Sequence, residues 1–354
     1  MRPDLRLTAA AFVGYGSFAL WLFRPTLSTL AHTVPAFHGL MGDALLLIWA
    51  TSHVSHALLT DPLHVFDAGI YHPAHHTLAF GDHMIGEALL GLPVWLATRN
   101  PLLEYNLLAF GSFVLGAVTM FRHRLTSRRG IAGAVAAGIV FSFTPFRFHS
   151  PLWLQVLMTF AMPLALGAWL RFVRDGRPRD LALWIAWWAL HSLMGMYLAF
   201  YFAVVMGCLA TAALVLAPTP DRRRLVLGTL VAPVAVGLLL LPTLWPYLVL
   251  RATQGHVRTL GMGTHWSFFL PGPGTWSGTL LGVGAPTSGV FLSFGPGLFT
   301  AALALVGIVA SRARADDPWS RFLWATHALG LAVVLALMLV PVELQLRLPG
   351  FDMI

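Results

Sequence analysis

The sequence predicts an all-α polytopic membrane protein. About nine transmembrane helices and a long, partly helical first extracytoplasmic loop are expected. Three observations predict this. Of the 354 residues, 57% are hydrophobic and 10% are charged; a soluble domain has about 45–50% and about 25%. The mean hydropathy is +0.75. Apolar runs near the roughly 20 residues that a span requires recur along the whole chain. These values exclude a soluble globular enzyme, a disordered chain and a secreted disulfide scaffold. The single cysteine, Cys208, lies in an apolar run, which excludes an internal disulfide and a Cys-rich metal site.

The apolar runs place spans at 7–27, 101–121, 130–146, 153–170, 181–197, 199–217, 225–243, 293–311 and 322–341. The N-terminal stretch (Arg2 and Arg6, then apolar from Leu7) lacks a clear small-residue cleavage site and reads as the first span. The segment 84–97 is apolar but short, with Glu87 and Pro93 inside it. It reads as a re-entrant or interfacial helix rather than a span.

The arginines decide the orientation. The net charge is +8, and all 22 basic residues are Arg, a usage that fits a GC-rich genome. With a cytoplasmic N-terminus and no crossing at 84–97, 16 of the 22 face inside. They fall in Arg2–Arg6, Arg122–Arg129, Arg171–Arg179, Arg222–Arg224 and Arg312–Arg321. Were 84–97 to cross, the RHRLTSRR segment would face outward, against the positive-inside bias. The charge is therefore a topology signal. No RNA- or DNA-reading motif is present, and no nucleic-acid partner is expected. The expected location is the inner cell membrane, multi-pass, with the functional loops extracytoplasmic.

Two outer regions, 28–100 and 244–292, are long enough to be functional or disordered; their Trp and His content argues for order. The first is the most informative. Between residues 28 and 104 lie six of the 14 carboxylates and nine of the 15 histidines, so polar chemistry is concentrated there. Asp43 opens a segment, 43–59, suited to a helix at the membrane surface. Two roles fit it: a helix cap favoured by the dipole, or a general base at the membrane–water boundary. Asp82 and His83, in a Gly-Asp-His triplet, precede the short apolar segment; the same two readings apply to Asp82. His53 and His56 share a helix face. With a carboxylate they suit a divalent metal ion, while interfacial packing is the plain alternative. No HEXXH motif is present.

The order of several segments resembles the GT-C superfamily of membrane glycosyltransferases, near its RgtA/B/C/D-like and protein-mannosyltransferase-like branches. These segments are Gly42-Asp43 on a helix with Trp49, the turn Asp61-Pro62, IYHPAHHTLAFGDH at 70–83 and LPVWLATRNPLLEYNLL at 92–108. FSFTPFRFHSPLWLQ at 141–155, LPTLWPYLVLRATQGHVRTL at 241–260 and FGPGLF at 294–299 follow. The resemblance covers nearly the whole chain. It implies a multi-span scaffold with an essential acidic residue in the first outer loop, at Asp43. It implies a polyprenyl-phosphate-linked sugar donor, with Asp82 or His83 near a second polar position. The Asp-Glu pair of protein mannosyltransferases and the WWD-type motif of oligosaccharyltransferases are absent. Further spans beyond Ile354 are also expected from it.

Inverting transfer from a phosphate leaving group needs a base on the acceptor and positive charge near the departing phosphate. Arg251, Arg258 and Arg147 sit at outer span ends and suit phosphate; snorkelling of each is the alternative. His191 and Tyr197 fall near an outer turn, where Tyr197 can reach a lipid-phosphate cavity. A divalent ion such as Mg or Mn is an open cofactor question. Three other functions compete. A transporter or flippase of a lipid-linked saccharide would show repeats and broken midplane helices. A non-catalytic scaffold would keep the fold alone. A His-ligated oxidase would need facing intramembrane His pairs, for which only His191 and His327 qualify.

Overall fold

The computed structural model describes residues 5–34, 41–126, 130–144, 147, 153–219, 221–254, 298–312 and 317–339. Every regular element among them is helical. Five stretches are long and apolar enough to cross a membrane: Leu5–Phe23, Pro101–Arg124, Leu154–Asp175, Met196–Leu216 and Arg222–Thr253. This is a helical protein built for a bilayer. Helices also occupy the other four expected span positions, but those at 131–142, 178–192 and 298–312 have only 12, 15 and 15 residues. Among the described residues, the five stretches named above meet the length and hydropathy requirement.

The chain forms two compact units, 1–200 with 228–247, and 201–227 with 248–354. In the first unit, α1 (Leu5–Phe23), α2 (Met41–Thr60), α3 (Ile85–Thr98) and α4 (Pro101–Thr126) are followed by α5 (Ile131–Ser142). After these come α6 (Leu154–Leu157), α7 (Ala161–Asp175) and α8 (Pro178–Ser192). The central element is α4, which packs against α1, α2, α3, α5, α6 and α7. Its start is set by Asn100, whose Oδ1 accepts the Leu103 amide at 2.9 Å, with Pro101 at the first helical position. Small residues Ala19, Ala117 and Ala134 are buried where α1, α4 and α5 meet, which suits helix packing in lipid. There the Tyr15 hydroxyl donates to Val135 O at 3.0 Å. The α5 helix ends at Ser142, just ahead of Pro145, whose ring disfavours helix at the preceding residue.

Helices form at both positions expected for interfacial helices, as α2 and α3. At 14 residues, α3 is about 21 Å long, short of the roughly 30 Å hydrocarbon core. The chain before α2 is strapped to α4: the Asn106 amide donates to Leu30 O and Thr33 O, each at 2.7 Å, and Asn100 Nδ2 donates to Ala31 O at 3.0 Å.

Helices α9 (Met196–Leu216) and α10 (Arg222–Gln254) each contribute to both units. Despite Pro233, Pro242 and Pro246, α10 runs unbroken for 33 residues. The outer loop expected from residue 244 thus begins as helix through Gln254. Prolines inside apolar helices are tolerated where neighbours satisfy the freed carbonyls. The rest of that loop lies outside the described residues. The second unit also holds α11 (Leu298–Arg312) and α12 (Pro318–Leu339), which pack on each other.

Candidate functional site

The acidic residues of the first outer region converge in the first unit. Asp43 stands in the first turn of α2 and is exposed. Its Oδ2 accepts the indole N–H of Trp153 at 3.2 Å. Trp153 immediately precedes α6, and the next residue, Leu154, forms a backbone hydrogen bond with the Tyr105 side chain. Tyr105 is buried in α4 and lies within electrostatic reach of both Asp43 and Glu87. Glu87, in the first turn of α3, lies in turn within electrostatic reach of Asp82. Asp43, Tyr105, Glu87 and Asp82 are thus electrostatically linked.

A turn between α8 and α9 packs at Asp82. Asp82 Oδ1 accepts the Met196 amide at 2.9 Å, and the Gly86 amide donates to Leu193 O at 2.8 Å. Only glycine fits at 86: a Cβ there would stand 2.8 Å from Leu193 O and 2.8 Å from Met194 Cγ. The chain enters this region under backbone strain, with Tyr71, His76 and Met84 all at positive φ.

His83 is buried. Its Nδ1 accepts the Ile85 amide at 3.1 Å, so the ring proton belongs on Nε2, which has no partner among the described residues. Phe66 and Tyr247 approach the ring edge-on, each with a centroid distance of 6.3 Å. Tyr247 also donates to Gly81 O at 2.7 Å. Burial pulls the imidazole down to about 4, so His83 is neutral at physiological pH. Glu87 is fully buried, and its carboxyl has no hydrogen-bond partner from another residue among the described ones. Burial pushes its carboxyl well above the usual range, and the Asp82 charge adds to the effect.

The other expected residues scatter. Arg147 is buried, donating to Thr159 Oγ1 at 3.0 Å and Ser112 Oγ at 3.1 Å, with its guanidinium 4.9 Å from the Phe113 ring centre. It acts here as a tie between α4 and the segment before α7. Arg251 is exposed near the end of α10, and Tyr197 is exposed near the start of α9. Arg258 lies outside the described residues. His53 is occupied structurally: its Nε2 bonds Val65 O at 3.0 Å, and its ring stacks on Trp49. His56 is exposed. Among the described residues no group of three or more His, Cys, Asp or Glu side chains is placed to hold a metal ion. Among the described residues, therefore, no third ligand joins His53 and His56 to hold a divalent ion.

Residue-by-residue reading of the sequence left Trp153 and Tyr105 unnoticed. No local pattern marks either, since both contacts join distant segments. Glu87 carried a visible signal, a lone carboxylate inside an apolar helix. Chemically, the arrangement offers an exposed carboxylate oriented by an indole and backed by a buried tyrosine.

The fold defines a class, a helical membrane-embedded protein whose first unit carries Asp43, Asp82 and Glu87 on and beside α2 and α3. No protein-family model, curated protein or solved structure matches the chain.

Proposed function

We propose that the chain is a GT-C-type membrane glycosyltransferase. It transfers a sugar from a polyprenyl-phosphate-linked donor to a lipid, glycan or protein acceptor at the extracytoplasmic face. In this reading the chain has nine spans in the inner cell membrane, with a cytoplasmic N-terminus. The observation that carries the proposal is the setting of Asp43. It is exposed at the start of an interfacial helix, yet its carboxylate is held by Trp153, 110 residues away in sequence. A surface cap needs no such distant support; a base that must meet an acceptor hydroxyl in a fixed direction does.

The chemistry balances simply. The acceptor oxygen bonds to the anomeric carbon as its proton passes to an Asp43 oxygen. The bond from the anomeric carbon to the phosphate oxygen breaks, and polyprenyl phosphate leaves with the electron pair. Neutral His83 adds no charge that would repel an anionic donor approaching nearby.

The test is a membrane assay with radiolabelled polyprenyl-phosphate sugars, comparing the full chain with Asp43→Asn. Product from the unaltered protein alone is the expected result. Equal product from both rejects Asp43 as base. Movement of lipid-linked saccharide without glycoside product points to a flippase, and inactivity of both folded proteins points to a scaffold.

A further inference from the structure

The second unit holds a cavity of about 500 Å³ lined by Leu216, Arg312, Pro318, Arg321, Phe322 and Trp324, among others. It lies where the C-terminal ends of α9 and α11 meet the N-terminal end of α12. Its wall has two characters. Phe322 is buried and Trp324 half-buried, giving an apolar side, while Arg312 and Arg321 are exposed cations.

The cationic side is partly pre-arranged. Trp324 Nε1 donates to Ile308 O at 3.0 Å, which fixes the indole against α11. The Arg312 guanidinium rests over that ring, 5.2 Å from its centre. Asp317, among the described residues, stands at the start of α12. Its Oδ1 accepts the amides of Trp319 and Ser320 at 2.9 and 3.0 Å, and its Oδ2 accepts the Ser320 hydroxyl at 2.6 Å. More positive charge lies close in sequence: Arg222, Arg223 and Arg224 follow Leu216, and Arg222 donates back to Leu214 O. The end of a helix of membrane-spanning length, α9, thus lies beside an apolar slot flanked by two arginines, one from α11 and one from α12.

We propose that this cavity binds the headgroup of an anionic membrane phospholipid. Arg312 and Arg321 hold the phosphate, and Leu216, Phe322 and Trp324 take the glycerol and the first acyl carbons. Guanidinium matches phosphate geometry, and the apolar wall favours a lipid over a free anion. Neither the acidic residues of the first unit nor the proposed transfer reaction is needed for this binding.

The experiment titrates the purified full chain, in non-ionic detergent, with short-chain phosphatidylglycerol, short-chain phosphatidylcholine or inorganic phosphate. Retained ligand is read by native mass spectrometry. Phosphatidylglycerol is expected to bind well above the other two. Arg312→Gln with Arg321→Gln is expected to weaken it roughly 25-fold, about five-fold for each arginine. An unfolding midpoint equal to that of the unaltered protein checks that this variant keeps its fold; the double Lys variant retains the preference for phosphatidylglycerol. Equal binding of phosphatidylcholine overturns the proposal, as does an unchanged Gln variant. Phosphate binding as tightly as phosphatidylglycerol overturns the lipid source and leaves a free-anion site.

Discussion

Replacing Gly86 by alanine strikes the contact that joins α3 to the turn between α8 and α9. The new Cβ would lie 2.8 Å from Leu193 O, 2.8 Å from Met194 Cγ and 2.9 Å from Leu193 C. Two of these are backbone atoms and cannot swing aside. Leu193 O is also the acceptor for the Gly86 amide at 2.8 Å, so relieving the clash stretches that bond. Overpacking costs about 1–3 kcal/mol. Leaving the buried amide and carbonyl unsatisfied costs about 1–3 kcal/mol more. Alanine's better helix propensity returns about 1 kcal/mol. The net loss is about 3 kcal/mol, roughly 150-fold in the folding equilibrium. Denaturant unfolding of the full chain in detergent micelles measures it. Gly111→Ala is the control: nothing lies within 4 Å of its Cβ, so its stability should hold or rise by up to about 1 kcal/mol. A Gly86→Ala midpoint equal to that of the unaltered protein refutes the reasoning.

Two further outcomes follow from the site. Trp153→Phe removes the hydrogen bond to Asp43 while keeping an aromatic ring; kcat should fall about ten-fold with KM and unfolding midpoint unchanged, the size of one charge-assisted hydrogen bond, and an unchanged kcat denies Trp153 its positioning role. His83 sets a pH dependence: folded, it titrates at about 4, whereas an unfolded histidine titrates near ~6.5. Between these values the unfolded chain binds more protons, so this contribution is whole above about pH 6.5 and falls by about 3 kcal/mol as pH drops to about 4. His83→Gln should flatten that part of the stability curve, and superimposable curves for the two proteins contradict it.

Much of the architecture was legible because lipid imposes a simple rule. Backbone groups must be satisfied within each span, so composition and run length reveal helices. The helices at 41–60 and 85–98 were read correctly as elements, since each is apolar and is bounded by turn residues. The ends of individual helices were less legible. Run length along the sequence ignores where a helix stops: α5 halts before Pro145, and α8 halts at Ser192, ahead of the Leu193–Gly195 turn. In α10 the reverse holds, for three prolines suggest a break and the helix continues.

The site divides in the same way. Crowding of carboxylates and histidines between residues 28 and 104 marked the stretch of chain that holds Asp43, Asp82, His83 and Glu87. It did not indicate which groups would be spent on structure. His53 is bound to Val65 O, and Arg147 is enclosed by Ser112, Thr159 and Phe113; in a sequence they look like any ligand or phosphate-binding group. By itself the sequence determined the class of solvent, the helical character and the segment where polar groups collect, because these depend on composition and local periodicity. Only the tertiary structure decided that Asp43 meets Trp153 and that Asp82 meets Met196. Those partners lie 110 and 114 residues apart, and pairings at that distance are set by how whole helices pack, which no local pattern encodes.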